Sequence, residues 1–592
     1  MSDLTGPVKL RVARPEEAEA LSGLTMRSKA CWGYDEEFLA GCRDELRLRR
    51  GEVVERRTVV AERDGMVLGV ATLEGDPPGG ELGLLFVEPD AMGLGVGRVL
   101  YRHVMEEAGR LGFTQVRIES DLNAEGFYLA MGAERQGTVR ALPVLVAWPV
   151  RPEPSWSVAW SAGGPTVHVG NVAEFNGQFG GDVRGPDHYS CLAAFCGPRP
   201  AMLVVPQRVD DWWVRDISAV LGWGDVEVHS GIAGDGRVSW AILARPDLLE
   251  RLTSRGLPVL PWGRTAAFEP IAPSPGGVVE AIRWYESKRH AHALFGALAS
   301  DHPGIVVPAQ RQGGSRRALA RELAGGARVV LKREYGVGGS GTLIVSAETE
   351  GLRALIRRWA GDVLLEEYVE GPGPYRNPTF DAIIGSDGEV HPVGVGLMDV
   401  DETSYRGVTV GPGVLPEPLT DTAVGFGVAV GRVFAQEGYR GWYDVDFVTD
   451  RSGRLAPVEI NLRLTGPAVA FHLQAALDRL RGGRHFVRTF DRLPLGARLP
   501  AGALREHVAR TAERCRVLGA TLLVTIPTAA FDPVPYLGVA IAARTRRILE
   551  EAETALRGAN AALGEMFDDL EVSLRDAHGP RRRRARPRRS ST

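Results

Sequence analysis

The sequence predicts a chain of several domains that belong to the α/β and α+β classes. Its 592 residues exceed what one hydrophobic core can hold, and at about 100 to 200 residues per domain they correspond to three or four domains. Predicted strands alternate with predicted helices along the first 150 residues. Two stretches rich in proline and glycine, 151–165 and 270–277, separate this region from the regions that follow.

The composition excludes several other classes of protein. Apolar residues make up 44% and charged residues 24%, which is typical of globular proteins and not of disordered or fibrous ones. The net charge of -4 gives no reason to expect a nucleic acid or an anionic membrane as the partner. The longest apolar run near the N-terminus, 141–150, is half of a membrane span, and the first residues lack the apolar stretch of a signal peptide. Five cysteines without a zinc spacing predict reduced thiols in a cytoplasmic protein.

The elements of the first region follow from hydrophobic periodicity and from turn residues. Strands are predicted at 8–12, 58–62, 66–73, 81–87 and 114–120, and helices at 15–24, 98–111 and 125–131. The pair Asp64-Gly65 is a strong signal for a hairpin between the second and third strands. Farther along the chain, short apolar strands are predicted at 166–169, 201–205, 240–243 and 258–260, and a long helix at 541–576.

A glycine loop connects a predicted strand to a predicted helix in the first region. Gly93, Gly95 and Gly97 lie between the strand that ends at Val87 and the helix that begins at Arg98. Free backbone N–H groups at the start of such a helix, together with the helix dipole, can bind a pyrophosphate.

A second motif, Asn123-Ala-Glu-Gly-Phe-Tyr128, follows this loop, and together they resemble the GNAT acyltransferases over about residues 7–140. The resemblance implies a GNAT fold and an acetyl-CoA site formed by Val87, Met92, Gly93, Gly95, Gly97 and Asn123. It implies that Tyr128 protonates the leaving thiolate. Met92 departs from the family, which usually has Gln or Arg there, and Glu81 and Glu88 are candidates for the base. Two alternatives stay open: Tyr128 packs the core, or the whole domain is an inactive GNAT that binds without catalysis.

Only four of the 70 basic residues are lysines, and one of them ends a predicted buried strand. Lys332 follows Val329-Val-Leu331, and the predicted mobile loop that comes after it contains Gly338, Gly339, Ser340 and Gly341. An ammonium group neutralises phosphate oxygens, and glycines let backbone N–H groups close over them. The pattern therefore predicts a triphosphate site.

Acidic and amide side chains alternate along two later predicted strands. If these strands form a hairpin across 450–453, Asp446 faces Glu459, and Asn461 lies on the same face. Hard oxygen ligands clustered in this way suit Mg²⁺ that bridges ATP phosphates. Arg463, two positions beyond Asn461, can stabilise the oxyanion of an acyl phosphate.

These motifs together resemble the ATP-grasp carboxylate–amine ligases over about 180 residues. The resemblance implies Lys288 and Lys332 as ATP lysines, Glu366 and Glu367 as the adenine hinge, and Arg463 as a catalytic residue. Many members of the family have an acidic ribose ligand after the hinge, but the stretch 372–378 contains none. A solvated helix residue is the alternative for Lys288.

The flanking regions extend the resemblance. The segment that begins at Val169 resembles a pre-ATP-grasp domain, and the region 500–578 resembles the C-terminal extension of the pheganomycin-type peptide ligases. The predicted domains are a GNAT domain at 1–150, a linker at 151–165, a pre-ATP-grasp α/β domain at 166–276, an ATP-grasp domain at 277–499, the ligase extension at 500–578, and a disordered arginine-rich tail at 579–592.

The implied protein is a bifunctional biosynthetic enzyme that uses ATP, Mg²⁺ and acetyl-CoA. One half would join an amino-acid-like acid to an amine through an acyl phosphate, and the other would transfer an acyl group to an amine. Specialised-metabolite or peptide-antibiotic biosynthesis is the expected setting, with a self-resistance acetylation as a variant, and many ATP-grasp ligases are dimers. In one alternative the GNAT domain is a non-catalytic acyl-CoA sensor or docking module. In another, the arginine tail anchors nucleic acid and the enzyme acts on tRNA-borne substrates; a solvated, flexible tail is the simpler account.

Overall fold

The computed structural model describes residues 8–577, except Ala141 and residues 181–186, 313–320, 322, 324–325, 327, 337–340, 360–362 and 372. The chain divides into two compact units, one formed by Met1–Glu153 and Leu477–Arg484 and the other by Pro154–Ala476 and His485–Thr592. The arginine-rich tail and three residues of the predicted phosphate loop, Gly338, Gly339 and Ser340, lie outside the described residues. No described helix is both long enough and apolar enough to cross a membrane.

The described residues of the first unit form helices and two small sheets. Its strands are β1 (Lys9–Val12), β2 (Val59–Arg63), β3 (Met66–Ala71), β4 (Glu74–Asp76), β5 (Gly79–Glu81), β6 (Leu85–Val87), β7 (Gln115–Glu119), β8 (Glu134–Val139) and β9 (Leu142–Ala147). Its helices are α1 (Ala18–Ala30), α2 (Glu36–Cys42), α3 (Arg50–Glu55), α4 (Val96–Leu111) and α5 (Glu125–Ala130). The strand orders are β1-β2-β3-β6 and β4-β5-β7-β9-β8.

The two faces of the first sheet pack into different cores. Along β2, Val60 belongs to one buried cluster, whereas Val59 and Ala61 belong to another, as the period-two alternation of a strand requires. The predicted hairpin between β2 and β3 is confirmed, and Asp64 and Gly65 both have positive φ.

One predicted strand of the first unit, 81–87, is wrong because the segment belongs to two strands of different sheets. β5 ends at Glu81 and pairs with β7, whereas β6 begins at Leu85 and pairs with β3. Gly83 lies at the break, where a Cβ would come within 1.7 Å of the Glu74 carboxylate. A glycine inside an apolar run weakens a strand. Here Gly83 permits the close approach of the Glu74 side chain at the point where β5 and β6 separate.

The described residues of the second unit form three sheets. Its strands are β10 (Thr166–Val169), β11 (Pro200–Val205), β12 (Glu227–Ser230), β13 (Val259–Pro261), β14 (Gln310–Gln312), β15 (Val329–Arg333), β16 (Thr342–Val345), β17 (Val363–Glu367), β18 (Pro378–Ile384), β19 (Val390–Asp401), β20 (Ser404–Val410), β21 (Gly441–Thr449), β22 (Leu455–Asn461), β23 (Phe486–Pro494), β24 (Thr521–Ile526) and β25 (Tyr536–Ala543). Its helices are α6 (Ser155–Ser161), α7 (Val172–Gly177), α8 (Asp211–Leu221), α9 (Val238–Leu243), α10 (Pro246–Thr253), α11 (Val278–Tyr285), α12 (Lys288–Leu298), α13 (Leu352–Trp359), α14 (Glu417–Gln436), α15 (Gly466–Arg481), α16 (Ala501–Val517) and α17 (Arg546–Ala577).

The sheets of the second unit differ in type. The order β12-β11-β10-β13 is parallel throughout, whereas β14-β17-β15-β16 is antiparallel. The largest sheet has the order β22-β21-β18-β19-β20-β23-β25-β24 and is also antiparallel. Together with the first unit, these sheets confirm the predicted class of an α/β and α+β multidomain chain.

Two predictions for the second unit are wrong in detail. The predicted strand at 240–243 is the helix α9, in which Val238 and Ile242 bury one face at helical spacing. A short apolar run does not distinguish a strand from a buried helix turn. The long helix begins at Arg546 and not at Ile541, because Ile541 pairs with Arg488 inside the large sheet.

Helix α14 packs closely on the large sheet. A Cβ added to Gly427 would lie 2.0 Å from Phe380, and one added to Gly431 would lie 2.0 Å from the Tyr443 hydroxyl. These glycines therefore allow the helix to approach the strands β18 and β21, which carry the polar residues described below.

Candidate functional site

Four carboxylates and an amide lie side by side on three neighbouring strands of the large sheet. The predicted hairpin of β21 and β22 forms, and it sets Asp446 opposite Glu459 and Asp444 opposite Asn461. Strand β18 adds Asp381 opposite Asp444. The Asn461 amide donates to the Asp444 carboxylate over 2.7 Å. The side chains alternate along each strand as predicted, but the pairing of Asp446 with Glu459 follows a register shift between Asp446 and Phe447.

The electrostatics of this cluster reflect crowded, buried acids. Burial raises the pKa of Asp446 well above its usual range, and the charges of Asp444 and Glu459 add to this effect. Burial also raises the pKa of Asp444 to about 7. Burial acts in the same direction on Glu459, but the charge and hydrogen bond of Lys288 lower its pKa overall. Besides burial, it is negative charge that raises the pKa of Asp446, so a cation beside this residue would stabilise its charged form.

The donor set fits a magnesium ion that shares its coordination with phosphates. The Asp446 Oδ1 atom is buried and has no hydrogen-bond partner. Within the described parts of the chain, no three carboxylate, imidazole or thiol groups are arranged as a complete metal site. Because Mg²⁺ in proteins is often held by one or two carboxylates plus substrate phosphates and water, two carboxylates suffice for such an ion.

Both predicted ATP lysines are buried and paired with carboxylates. Lys288 begins α12, and its Nζ lies 2.6 Å from Glu459 Oε1. Lys332, on β15, lies 2.6 Å from Glu366 Oε1 and donates to the Val458 carbonyl over 3.0 Å. With its side chain 3% exposed, Lys288 is not the solvated helix residue of the alternative interpretation.

The two predicted hinge acids have different environments on β17. Glu366 is buried between Lys332 and the Gln310 amide, which donates to it over 2.8 Å. Glu367 is exposed, and its backbone N–H donates to the Ala309 carbonyl. Of the predicted glycine loop, Gly341 is described and has a φ of 83°.

Arg463 is held by a residue that the sequence did not single out. Its NH1 group lies 2.7 and 2.8 Å from the two carboxylate oxygens of Glu286, and Glu286 also accepts the Leu462 N–H over 2.8 Å. Both side chains are buried. Glu286 is 177 residues from Arg463 in sequence, so that only its place directly before Ser287-Lys288 could have drawn attention to it.

One cavity of about 730 Å³ brings most of these residues together. Its walls include Lys332, Glu366, Glu367, Asp446, Glu459, Asn461 and Arg463. Lys288 is not part of the cavity lining, but it donates a hydrogen bond to Glu459, which is. The cavity therefore has basic, acidic and apolar walls of the kind that a nucleoside triphosphate and its metal require.

In the first unit, the glycine loop precedes helix α4 as expected. Gly93 and Gly95 have φ values of 78° and 84°, and Gly95 is the N-cap of the helix. Gly97, which was predicted to lie in the loop, instead lies inside the helix, which begins at Val96, and a Cβ there would contact Val87 and Phe127. Met92 lies just before the loop, where its sulfur is 3.9 Å from the thiol of Cys31. Left-handed glycines at a helix start leave backbone N–H groups free for an anion.

Tyr128 and Asn123 are embedded in different surroundings. Tyr128 is 7% exposed and packs against Tyr101 and Phe127, and burial raises the pKa of its hydroxyl. Asn123 donates to the Tyr34 hydroxyl over 3.0 Å.

That hydroxyl and Lys29 both contact Asp121, at 2.7 and 2.6 Å. Neither Asp121 nor its partnership with Lys29 was anticipated, since the two are 92 residues apart. The candidate bases are separate from this group: Glu88 is paired with Arg27, and burial raises the pKa of Glu81.

Comparisons with known proteins identify the first unit. Residues 25–133 match the model of the acetyltransferase (GNAT) family, so the chain contains a GNAT domain. PaiA N-acetyltransferase from Thermoplasma acidophilum, in complex with coenzyme A, is 17% identical; the match covers 24% of this chain and 98% of that one, with a TM-score of 0.22.

Solved structures similar to the rest of the chain include N5-carboxyaminoimidazole synthase from Aspergillus clavatus with ADP and 5-aminoimidazole ribonucleotide, at 16% identity, 61% and 91% coverage and a TM-score of 0.40. A putative ATP-grasp superfamily protein from Archaeoglobus fulgidus matches at 17% identity, 54% and 91% coverage and a TM-score of 0.32. No curated protein matches the sequence. At such TM-scores the similarity does not support any argument about function. For the second unit, an argument about function must come from the arrangement of its own residues.

Proposed function

We propose that the second unit is an ADP-forming ATP-grasp ligase of the pheganomycin type, which joins the carboxylate of an amino-acid-like substrate to an amine. The observation that carries this proposal is a single cavity lined by Lys332, Asp446, Glu459, Asn461 and Arg463. A buried lysine for phosphate, hard oxygen ligands and a buried arginine are together what transfer of a phosphoryl group to a carboxylate needs.

The reaction has two balanced steps. A carboxylate oxygen of the acid attacks the γ-phosphorus of ATP, the bond to the ADP oxygen breaks, and an acyl phosphate forms. The amine nitrogen then attacks the acyl carbon, inorganic phosphate leaves, and the nitrogen releases a proton to water. The product is an amide, and specialised-metabolite biosynthesis is the setting we propose for it.

Each residue of the cavity has a distinct part in this scheme. Lys332 would bind ATP phosphates, because it lines the cavity wall and its strand pairs it with Thr342, the residue directly after Gly341. Lys288 would keep Glu459 ionised. Arg463, oriented by Glu286, would stabilise negative charge on the acyl phosphate. The adenine would lie against the hinge at the end of β17, at Glu366 and Glu367.

Magnesium would be held by Asp446, Glu459 and Asn461. When bound, it would neutralise charge on the ATP phosphates. The unpartnered Asp446 oxygen supports this assignment.

The ligase is tested by resolving ADP and AMP after incubation of the full chain with Mg²⁺, ATP and pooled amino acids and amines. We expect ADP release that needs both organic substrates and that falls about a hundredfold or more in Glu459→Gln. Glu250→Gln, on the exposed face of α10, is the matched control and should retain full activity. AMP as the product would contradict acyl-phosphate chemistry.

For the GNAT domain we propose acetyl-CoA-dependent N-acyl transfer, with the coenzyme at the loop of Met92, Gly93, Gly95 and Gly97. The free helix start at α4 supports binding of its pyrophosphate. Tyr128, whose hydroxyl stays protonated at neutral pH, would be the acid, and Asn123 would contribute to the site.

The burial of Tyr128 also favours the second candidate, a non-catalytic acyl-CoA sensor or docking module. Release of free coenzyme A in the presence of amines separates the two. Turnover that falls in Tyr128→Phe supports catalysis, whereas tight binding of acetyl-CoA without turnover supports the sensor.

A further inference from the structure

The wall of the same cavity also contains a carboxylate that the ligase chemistry proposed above does not use. Asp491 lies on β23 and lines the cavity with 5% of its surface exposed. The pairing of β23 with β25 is irregular between Phe490 and Leu493, so Asp491 lies in a bulge. Bulges redirect side chains and are frequent next to binding sites.

The described residues satisfy the carboxylate of Asp491 only in part. Its Oδ2 atom is buried without a hydrogen-bond partner, and among the described residues it forms no ion pair. The neighbouring arginines are engaged elsewhere: Arg463 with Glu286, Arg406 with Asp401, and Arg492 over the Tyr536 ring.

A buried carboxylate without a cationic partner is costly, and a ligand can supply the missing charge. Burial raises the pKa of Asp491 to about 7, against the smaller effect of a hydrogen bond from Tyr189.

Two tyrosines complete the surroundings of this carboxylate. The Tyr405 hydroxyl is buried and has no hydrogen-bond partner of acceptable geometry. Its ring lies against Gly466, where a Cβ would come within 2.4 Å of the hydroxyl oxygen. Tyr189 lies close enough to Asp491, Tyr405 and Arg463 to interact electrostatically with each of them. The unsatisfied groups therefore lie together, in the part of the cavity that also contains Arg463.

We propose that Asp491, Tyr405 and Tyr189 form a subsite for a free ammonium group on the acid substrate of the ligase. This inference rests on the proposed function. An ammonium group has three donors, which match the Asp491 oxygen and the two phenol oxygens, and tyrosine rings also attract cations.

The ammonium group held here is a recognition group and not the attacking amine. A carboxylate in contact with an amine favours its charged form, whereas the attacking nitrogen must be neutral. The acid substrate is therefore an amino acid that keeps its amino group free while its carboxylate is activated near Arg463.

The test is calorimetric binding of the twenty common L-amino acids and their N-acetyl forms to the full chain, with and without the Mg²⁺ complex of a non-hydrolysable ATP analogue. We expect at least one free amino acid to bind and its N-acetyl form to bind about tenfold more weakly or worse. Asp491→Asn should weaken binding of the free amino acid by about tenfold or more and leave the affinity for the ATP analogue unchanged.

Two further variants separate binding from folding. Tyr405→Phe removes a hydroxyl without a hydrogen-bond partner, so the variant should keep the stability of the wild type. It should weaken binding of the amino acid severalfold. Asp216→Asn, on the exposed face of α8, is the matched control and should change neither affinity.

Equal binding of free and N-acetyl forms, or full affinity in Asp491→Asn, would overturn the inference. So would a wild-type protein that binds the ATP analogue but none of the amino acids. Failure to bind the ATP analogue would instead contradict the proposed ligase function. In that case, the arm without nucleotide would still test whether the subsite binds free amino acids more tightly than their N-acetyl forms.

Discussion

Replacing Glu286 by glutamine tests whether the buried pair with Arg463 supports both the fold and the site. The substitution keeps the size of the side chain and one acceptor for the Leu462 N–H, but it removes the charge opposite a guanidinium that is 5% exposed. Removal of one partner from a buried ion pair costs about 3 to 5 kcal/mol, because the other charge is left unpaired. Since glutamine retains part of the hydrogen bonding, we expect the free energy of unfolding to fall by about 3 kcal/mol.

Urea unfolding followed by tryptophan fluorescence measures this loss. Of the twelve tryptophans, Trp32 and Trp148 lie in the first unit, so the other ten report on the second unit. The matched control is Glu551→Gln, which breaks an exposed pair with Arg547 of similar length, 2.6 Å. An exposed pair contributes at most about 0.5 kcal/mol within one helix, so the control should scarcely move the midpoint.

Activity provides the second readout for Glu286. If the residue orients Arg463, the rate of ADP release should fall about tenfold or more while the affinity for ATP stays the same. A loss of stability as small as that of Glu551→Gln would refute the assignment of a buried pair. Unchanged ADP release in a variant of lowered stability would refute the positioning role.

Three further predictions concern glycines and a buried histidine. On α14, Gly427→Ala places a Cβ against the Phe380 ring and should destabilise the second unit by about 1 to 3 kcal/mol. The control Gly425→Ala has open space around its Cβ and should stabilise the unit by up to about 1 kcal/mol. Equal urea midpoints for the two variants would contradict the close packing of Gly427. Gly95→Ala forces an alanine to a φ of 84° without a clash, so it should cost the first unit about 1 kcal/mol in thermal unfolding and weaken binding of coenzyme A; normal binding would count against the loop as the site. Burial lowers the pKa of His168 to about 4, so below pH 6.5 the unfolded chain binds more protons than the folded one, and stability should fall by up to about 3 kcal/mol between pH 6.5 and 4. Urea midpoints at pH 7 and 5 measure this fall, which should be smaller in His168→Asn; an equal fall in both proteins would contradict it.

The sequence by itself determined the residues whose positions repeat with the period of a strand or mark a turn. The sequence predicted that Asp446 and Glu459 face each other across a hairpin, although their exact pairing depends on a register shift between Asp446 and Phe447 that only the structure shows. The glycines before α4 could be assigned because left-handed backbone at a helix start favours glycine. These are local rules, and they act within about twenty residues.

The tertiary structure alone decided which distant residues meet. Glu286 reaches Arg463 across 177 residues, and Asp121 meets Lys29 across 92, and no periodicity in the chain encodes such pairs. The segment 81–87 divides between two sheets because of a close approach at Gly83 that only the packed chain reveals. Asp491 lies in a bulge, and it lines a cavity whose walls come from several sheets and loops. Among the described residues it therefore has no cationic partner that the sequence could have revealed. Desolvation depends on every neighbour in space, and so the charge balance of the site follows from the fold and not from the order of residues.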